Sequence, residues 1–328
     1  MMRRLLLLGF VLAATAVPVH GYSHFGTSVG TARLHWATMP VRWFATNLGV
    51  PGVSSTEFRA AAERAFKTWT DVPTASMQFV FGGMTSLEPD EDDNLSVLGF
   101  QNHPEMDRVL AATSFDFDDN TGELTEADIF FNSFFEWSTA VGGDATRFDL
   151  ESVAVHEIGH LLGLGHSAIG ETELRPEGGR RVLGSGAVMF PISIGRGAIA
   201  DRVLQPDDIA GISDLYPEGN FEDTSGGVRG RVRRGTAAVV GAHVVVFNLR
   251  SQALVGGFTL GNQGEFQILG LAPGPYVVRV EPLDDADIDS FFDLDSVDID
   301  FQVTYYPRLV VAPSGGVGNS VTVTVRSK

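Results

Sequence analysis

The sequence predicts an α+β domain, a twisted mixed sheet with three helices, followed by a small all-β sandwich. Three observations carry this. From Leu34 to Tyr216 strand-like alternation is mixed with apolar runs at helical spacing; residues 217–227 (PEGNFEDTSGG) are polar and turn-forming; beyond them the helical period vanishes. We place a leader at 1–21, the first domain at 22–217, a linker at 218–227 and the second domain at 228–328. A length of 328 residues suits two domains, and 44% hydrophobic residues suffice for two cores.

The leader is read from Arg3 and Arg4, the apolar run Leu5–Val17 and small residues near Ala16 and Gly21 that suit cleavage. The run is too short for a membrane span, which needs roughly 20 residues, so a signal peptide and a secreted, extracellular protein without a transmembrane anchor are expected. The net charge of −18 disfavours nucleic acid and acidic membrane as partners. There is no cysteine, so stability must come from the cores and bound metals, and no thiolate can ligate or catalyse.

Within the first domain, 41–46 (VRWFAT) alternates like a strand. Ser54 and Glu57 form a capping-box pattern, after which Phe58, Ala61, Ala62, Ala65, Phe66 and Trp69 recur as one face of a long helix. Residues 78–81, 109–115 and 128–132 read as further strands. A second helix starts after Asp149 and runs through Leu162; a third starts near Pro206 and stops before Pro217.

The second helix carries the chemistry. Residues 156–166 read HEIGHLLGLGH. His156 and His160 lie one turn apart on one face, and Gly163 can turn the chain so that His166 returns as a third nitrogen ligand. Three of the eight histidines fall within these eleven residues. Three protein ligands leave a fourth zinc position for water, the arrangement of a catalytic site, and Glu157 is placed to take that water's proton.

With its third histidine followed by Ser167, this motif resembles the matrixin branch of the metzincin peptidases. Residues 187–191 (AVMFP) resemble the family's Met-turn, with Met189 as a packing residue; 204–216 (LQPDDIAGISDLY) and 60–69 (AAAERAFKTW) resemble its last and first helices. The resemblance covers roughly 33–217. It implies a metzincin fold and a zinc metalloendopeptidase with one zinc on His156, His160 and His166, Glu157 as base and a protein or peptide as substrate. It further implies a cleft beneath the edge strand, taken as 109–115, and a specificity wall near Pro191–Ser193. The rival expectation is a non-catalytic secreted adhesion protein built on a peptidase-like domain. Hydrolysis of a non-peptide amide is a third.

Departures from the family set further expectations. Residues 99–135 contain only His103, so no second zinc is expected. Residues 116–128 (DFDDNTGELTEAD) instead offer oxygen ligands suited to calcium: Asp116, Asp118, Asn120 and Asp128, with Asp119 and Glu126 beside them. A solvated acidic turn is the alternative. About a dozen cysteine-free residues separate the leader from Leu34, so a cysteine-based inhibitory propeptide is not expected.

Residues 227–325 resemble carboxypeptidase regulatory-like, or Cna-B-like, β-sandwich modules. The segments that carry this are 241–248 (GAHVVVFN), 264–271 (GEFQILGL) and 273–278 (PGPYVV). In 242–247, alternation puts Ala242, Val244 and Val246 on one face. No lysine lies in these strands, so no lysine–asparagine cross-link is expected. Residues 284–300 hold eight aspartates, read as a solvated loop or a site for calcium or a basic partner. We expect a monomer.

Overall fold

The computed structural model describes residues 3–6, 23–27, 32–90, 92–175, 180–283, 291 and 297–328. The leader read at 1–21 therefore lies outside the described residues except for its strand Arg3–Leu6 (β1), and so does most of the acidic stretch 284–300.

The first half is built on one mixed sheet. Its strands are β1, Val41–Thr46 (β2), Phe79–Thr85 (β3), Ser96–Gln101 (β4), Ala111–Phe117 (β5) and Leu124–Asn132 (β6), in the order β1-β5-β6-β4-β2-β3. β2 runs parallel to both β3 and β4, β4 is parallel to β6, and β5 is antiparallel to β6. β3 ends the sheet on one side; on the other, β5 is the outermost long strand, with only the four residues of β1 beyond it.

Helix α1 (Ser55–Thr70) begins at the capping box: the Ser54 hydroxyl accepts the Glu57 N–H, and the Glu57 carboxylate accepts the Ser54 N–H at 2.9 Å. It buries the six residues that its apolar period marks. Trp69 is fully buried and donates its indole N–H to the Val155 carbonyl at 2.9 Å, fastening α1 to α2 (Leu150–Leu161). In α3 (Pro206–Leu215), proline occupies the first turn, and the Asp208 carboxylate accepts the Gln205 N–H at 2.8 Å. Tyr216, just after it, donates its hydroxyl to the Leu162 carbonyl at 2.7 Å, tying the end of α3 to the end of α2.

Two segments differ from the sequence reading. β4 (SVLGFQ) is buried along most of its length, so it lacks the alternation that marks a half-buried strand. An antiparallel pair, Gly170–Leu174 against Arg180–Ser185, lies between the third histidine and Met189. Its strands are largely polar and exposed, which reads as loop.

Beyond Tyr216, Phe221–Thr224 is one helical turn and a strand starts at Gly226. The strands from there form two sheets. One joins Ala237–Ala238, Gly226–Arg234, Glu265–Leu271 and Val321–Val325; the other joins Leu254–Phe258, His243–Asn248, Gly274–Glu281, Thr304–Tyr305 and Val310–Ala312. Val228, Phe266 and Val323 of the first sheet share one buried cluster with Val244, Val246 and Val278 of the second. Only two short pieces of the strand-like run 298–311 are paired. No described helix is long and apolar enough to cross a membrane.

Candidate metal centre

Asp149 caps α2, its carboxylate accepting the Ser152 N–H at 2.8 Å while pairing with Arg202. The helix buries Ala154, Val155, Ile158 and Leu161 in the core. It holds His156 and His160 one turn apart, with ring centroids separated by 4.7 Å. The helix then stops at Gly163, whose φ of +97° suits a residue without a Cβ and whose N–H bonds the His160 carbonyl at 2.8 Å. A side chain at Gly163 would collide with the Leu34 carbonyl. The turn brings the His166 ring to 4.8 Å from His160 and 5.5 Å from His156. One nitrogen from each of the three lies within 4.8 Å of the others.

The outer contacts orient these rings. His156 Nδ1 is 2.7 Å from the Val188 carbonyl and His160 Nδ1 is 2.8 Å from the Leu164 carbonyl. A carbonyl only accepts, so each Nδ1 carries the proton and each Nε2 presents a lone pair. The His160 lone pair faces His166 Nε2 at 3.2 Å. Burial, with the neighbouring His166, pushes His156 down to about 3, and burial pushes His160 well below 6.5. Neutral imidazoles with carbonyl-fixed tautomers are the donor set and outer shell that suit zinc.

Met189 lies beneath α2. Gly159 makes room for it, because a Cβ there would run into the Met189 sulfur and stand 3.0 Å from Trp69. The Asp208 carboxylate accepts the Val188 and Met189 N–H groups at 2.9 and 3.1 Å, and the Ser167 N–H bonds the Met189 carbonyl at 2.8 Å. The start of α3, the Met189 turn and the third-histidine loop are thereby linked.

Glu157 is only 5% exposed. Burial pushes its carboxyl up to about 7, opposed by the Thr113 hydroxyl, which lies 2.7 Å from Glu157 Oε2 and 3.1 Å from its carbonyl oxygen. Thr113 sits on β5 and was not singled out from the sequence, where one threonine in a strand carries no signal.

Among the described residues, a second set placed to hold a cation is Asp92, Asp116 and Glu126, whose oxygens lie within 4.8 Å of one another. It shares Asp116 and Glu126 with the oxygen ligands read from the sequence, whereas Asp118 and Asp128 are engaged in other hydrogen bonds. Asp118 accepts the Asn120 and Thr121 N–H groups at 2.8 and 3.0 Å, closing its own turn. Asp128 accepts N–H groups from Asp90 and Val97 at 2.6 and 2.7 Å. Asp92 comes from a loop more than twenty residues upstream, which spacing within 116–128 could not find.

Two imidazoles fixed on one helix, a third returned by a glycine turn and a buried carboxylate beside them form a group placed to hold a metal ion. Residues 35–177 match the family model described as Matrixin, and this part of the chain is a matrixin domain. The chain is similar to Metalloendoproteinase 1 of Glycine max, 35% identical over 176 residues (48% of this chain, 45% of the relative). It is also similar to Metalloendoproteinase 2-MMP of Arabidopsis thaliana, 32% identical over 180 residues (52% and 40%). Karilysin of Tannerella forsythia is 26% identical over 233 residues (66% and 42%). The chain spans less than half the length of each of these relatives.

Proposed function

We propose that the protein is a secreted zinc-dependent endopeptidase that holds one zinc on His156, His160 and His166 and uses Glu157 as its general base. The observation that carries this reading is the convergence of three imidazole nitrogens beside a buried carboxylate within a matrixin domain. Zinc, when bound, supplies an acidified water and polarisation of the scissile carbonyl.

The chain's own residues do the rest. Glu157, with a pKa near neutrality, accepts the proton of the attacking water and returns it to the leaving nitrogen. Thr113 holds the carboxylate in place through its hydroxyl. The open N–H and C=O groups of β5 would bind an extended peptide backbone antiparallel to the strand once the leader is removed. We read the two C-terminal sheets as a β-sandwich accessory module beginning near residue 228, the protein as a monomer, and any calcium as belonging to the Asp92, Asp116 and Glu126 set rather than to Asp118 and Asn120.

The test is hydrolysis of casein or a quenched peptide by the mature protein, with and without a zinc chelator. Chelator-sensitive cleavage restored by zinc is expected. A folded, zinc-loaded protein that cleaves nothing would favour a non-catalytic binding role.

A further inference from the structure

Strand His243–Asn248 is buried on both faces. Val244 and Val246 point into the core between the two C-terminal sheets, yet His243 and Val245 on the other face are only 3% and 2% exposed. In the antiparallel pairing His243 stands opposite Phe258 and Val245 opposite Gly256. Directly opposed residues share a face, so His243, Val245, Gly256 and Phe258 form one outer surface. Part of what covers it comes from the metal-binding half: Asp207, Ala168 and Ile169.

Two contacts on that surface lead to the third histidine. The Gly256 N–H donates to Asp207 Oδ1 at 2.8 Å, and the same Asp207 carboxylate accepts the hydroxyl of Ser167, the residue after His166. Gly256 must be glycine for this: a Cβ would stand 2.7 Å from His243 Nε2 and 2.9 Å from the Ile169 side chain. Phe258 packs with Ala168, Leu283 and Phe291 in a separate buried cluster. Phe291 in turn sets its ring edge-on to His166, with centroids 6.1 Å apart. The loop 166–169 is therefore met at each of its four positions by α3 or by the C-terminal half.

We propose that the C-terminal sheets are a working part of the metal centre, with Phe291 and the Gly256–Asp207–Ser167 chain acting as positioning residues that fix His166. This rests on the reading of the three histidines as a metal centre. It makes the two halves one functional unit, contrary to what the polar composition of 218–227 suggests. His166 is the ligand with most to gain, because it follows the helix end and lacks the helical backbone that fixes His156 and His160.

The test uses the full mature chain with Phe291→Ala, Phe291→Leu and Gly256→Val, and with Arg229→Ala, at an exposed position of the first C-terminal sheet, as control. The readouts are the rate of metal loss to a chelator, the visible spectrum of the cobalt-substituted protein, and kcat and KM on one short peptide. Phe291→Ala and Gly256→Val are expected to speed metal loss about tenfold or more, as removal of outer-shell support commonly does. They should also shift the cobalt bands and lower kcat more than they raise KM. Phe291→Leu should restore most of the loss, and Arg229→Ala should match wild type.

Should Gly256→Val fail to fold, Asp207→Ala removes the acceptor without adding atoms, and Asp207→Asn, which keeps an acceptor, serves as its rescue. Folded variants with wild-type metal loss and cobalt spectra would overturn the proposal. A chain whose metal retention responds as expected but which cleaves no peptide would sink the peptidase reading and leave this inference intact.

Discussion

The two sets of residues placed to hold a cation differ in how they are built. His156, His160 and His166 sit within eleven residues of one helix and its closing turn; two of their rings are oriented by backbone carbonyls and both of those are held neutral by burial. Asp92, Asp116 and Glu126 come from a loop and two strands, and Asp92 is exposed. Glu126 already accepts the Asn94 N–H, so part of its acceptor capacity goes to holding the loop. The contrast teaches that a site assembled before its ion arrives is fixed by local sequence, whereas a site assembled across strands is fixed by the sheet and leaves little local trace.

The sharpest way to break the comparison is to remove one ligand from each set. His160→Ala should leave bound zinc at roughly a tenth of a mole per mole or less and abolish measurable peptide hydrolysis, because an open three-ligand site has none to spare. Asp116→Asn should leave zinc content and short-peptide turnover unchanged. Metal analysis beside a peptide assay decides both; zinc lost from Asp116→Asn would merge the two sets into one system.

A smaller effect is expected at β5, which carries Asp116 of the second set and touches Glu157 beside the first. Thr113→Val removes the hydroxyl from Glu157 while keeping the shape of the side chain. A loss of about tenfold in kcat, about 1.4 kcal/mol, is expected with KM little changed. Because that hydroxyl favours the ionised carboxylate, its removal should also move the acid limb of the pH–rate profile upward. An unshifted profile would mean that Thr113 only packs.

Acid should discriminate the sets further. The folded-state pKa of His156 lies at about 3, against 6.5 for an exposed imidazole. Below 6.5 the unfolded chain binds more protons than the fold does, so the metal-free protein should lose stability as pH falls from 6.5 towards 3. Thermal melts of the metal-free protein across that window test this, and a flat response would show that the rings are not held neutral.

The smallest expected effect is that of calcium. Chelating calcium alone should lower the melting temperature by no more than a few degrees, the scale of about 1 kcal/mol in a domain this size, and leave short-peptide hydrolysis in place.

What the sequence made legible follows the same division. Helix α1 is readable because Ser54 and Glu57 mark its start and six apolar residues recur at its period. The three histidines and Glu157 are readable because helical geometry converts their spacing directly into proximity. Thr113 and Asp92 are not, since only strand pairing and a loop bring them to their places. The outer face of His243–Asn248 was missed for a related reason: alternation in Ala242, Val244 and Val246 reports one buried side, and the second is buried only by the docking of one half on the other. The strand pair Gly170–Leu174 and Arg180–Ser185 was missed because its strands are largely polar and show no run of alternating apolar residues.

The central claim, that Glu157 works as a base beside a metal held by the three histidines, is tested most directly by Glu157→Gln. The amide keeps the size and polarity of the side chain but cannot accept the proton. Zinc content and peptide hydrolysis are to be measured on the same preparation of wild type and variant. The account predicts one zinc per chain in both, with turnover of the variant lower by about a hundredfold to ten-thousandfold. A variant that holds its zinc and cleaves at the wild-type rate would contradict it.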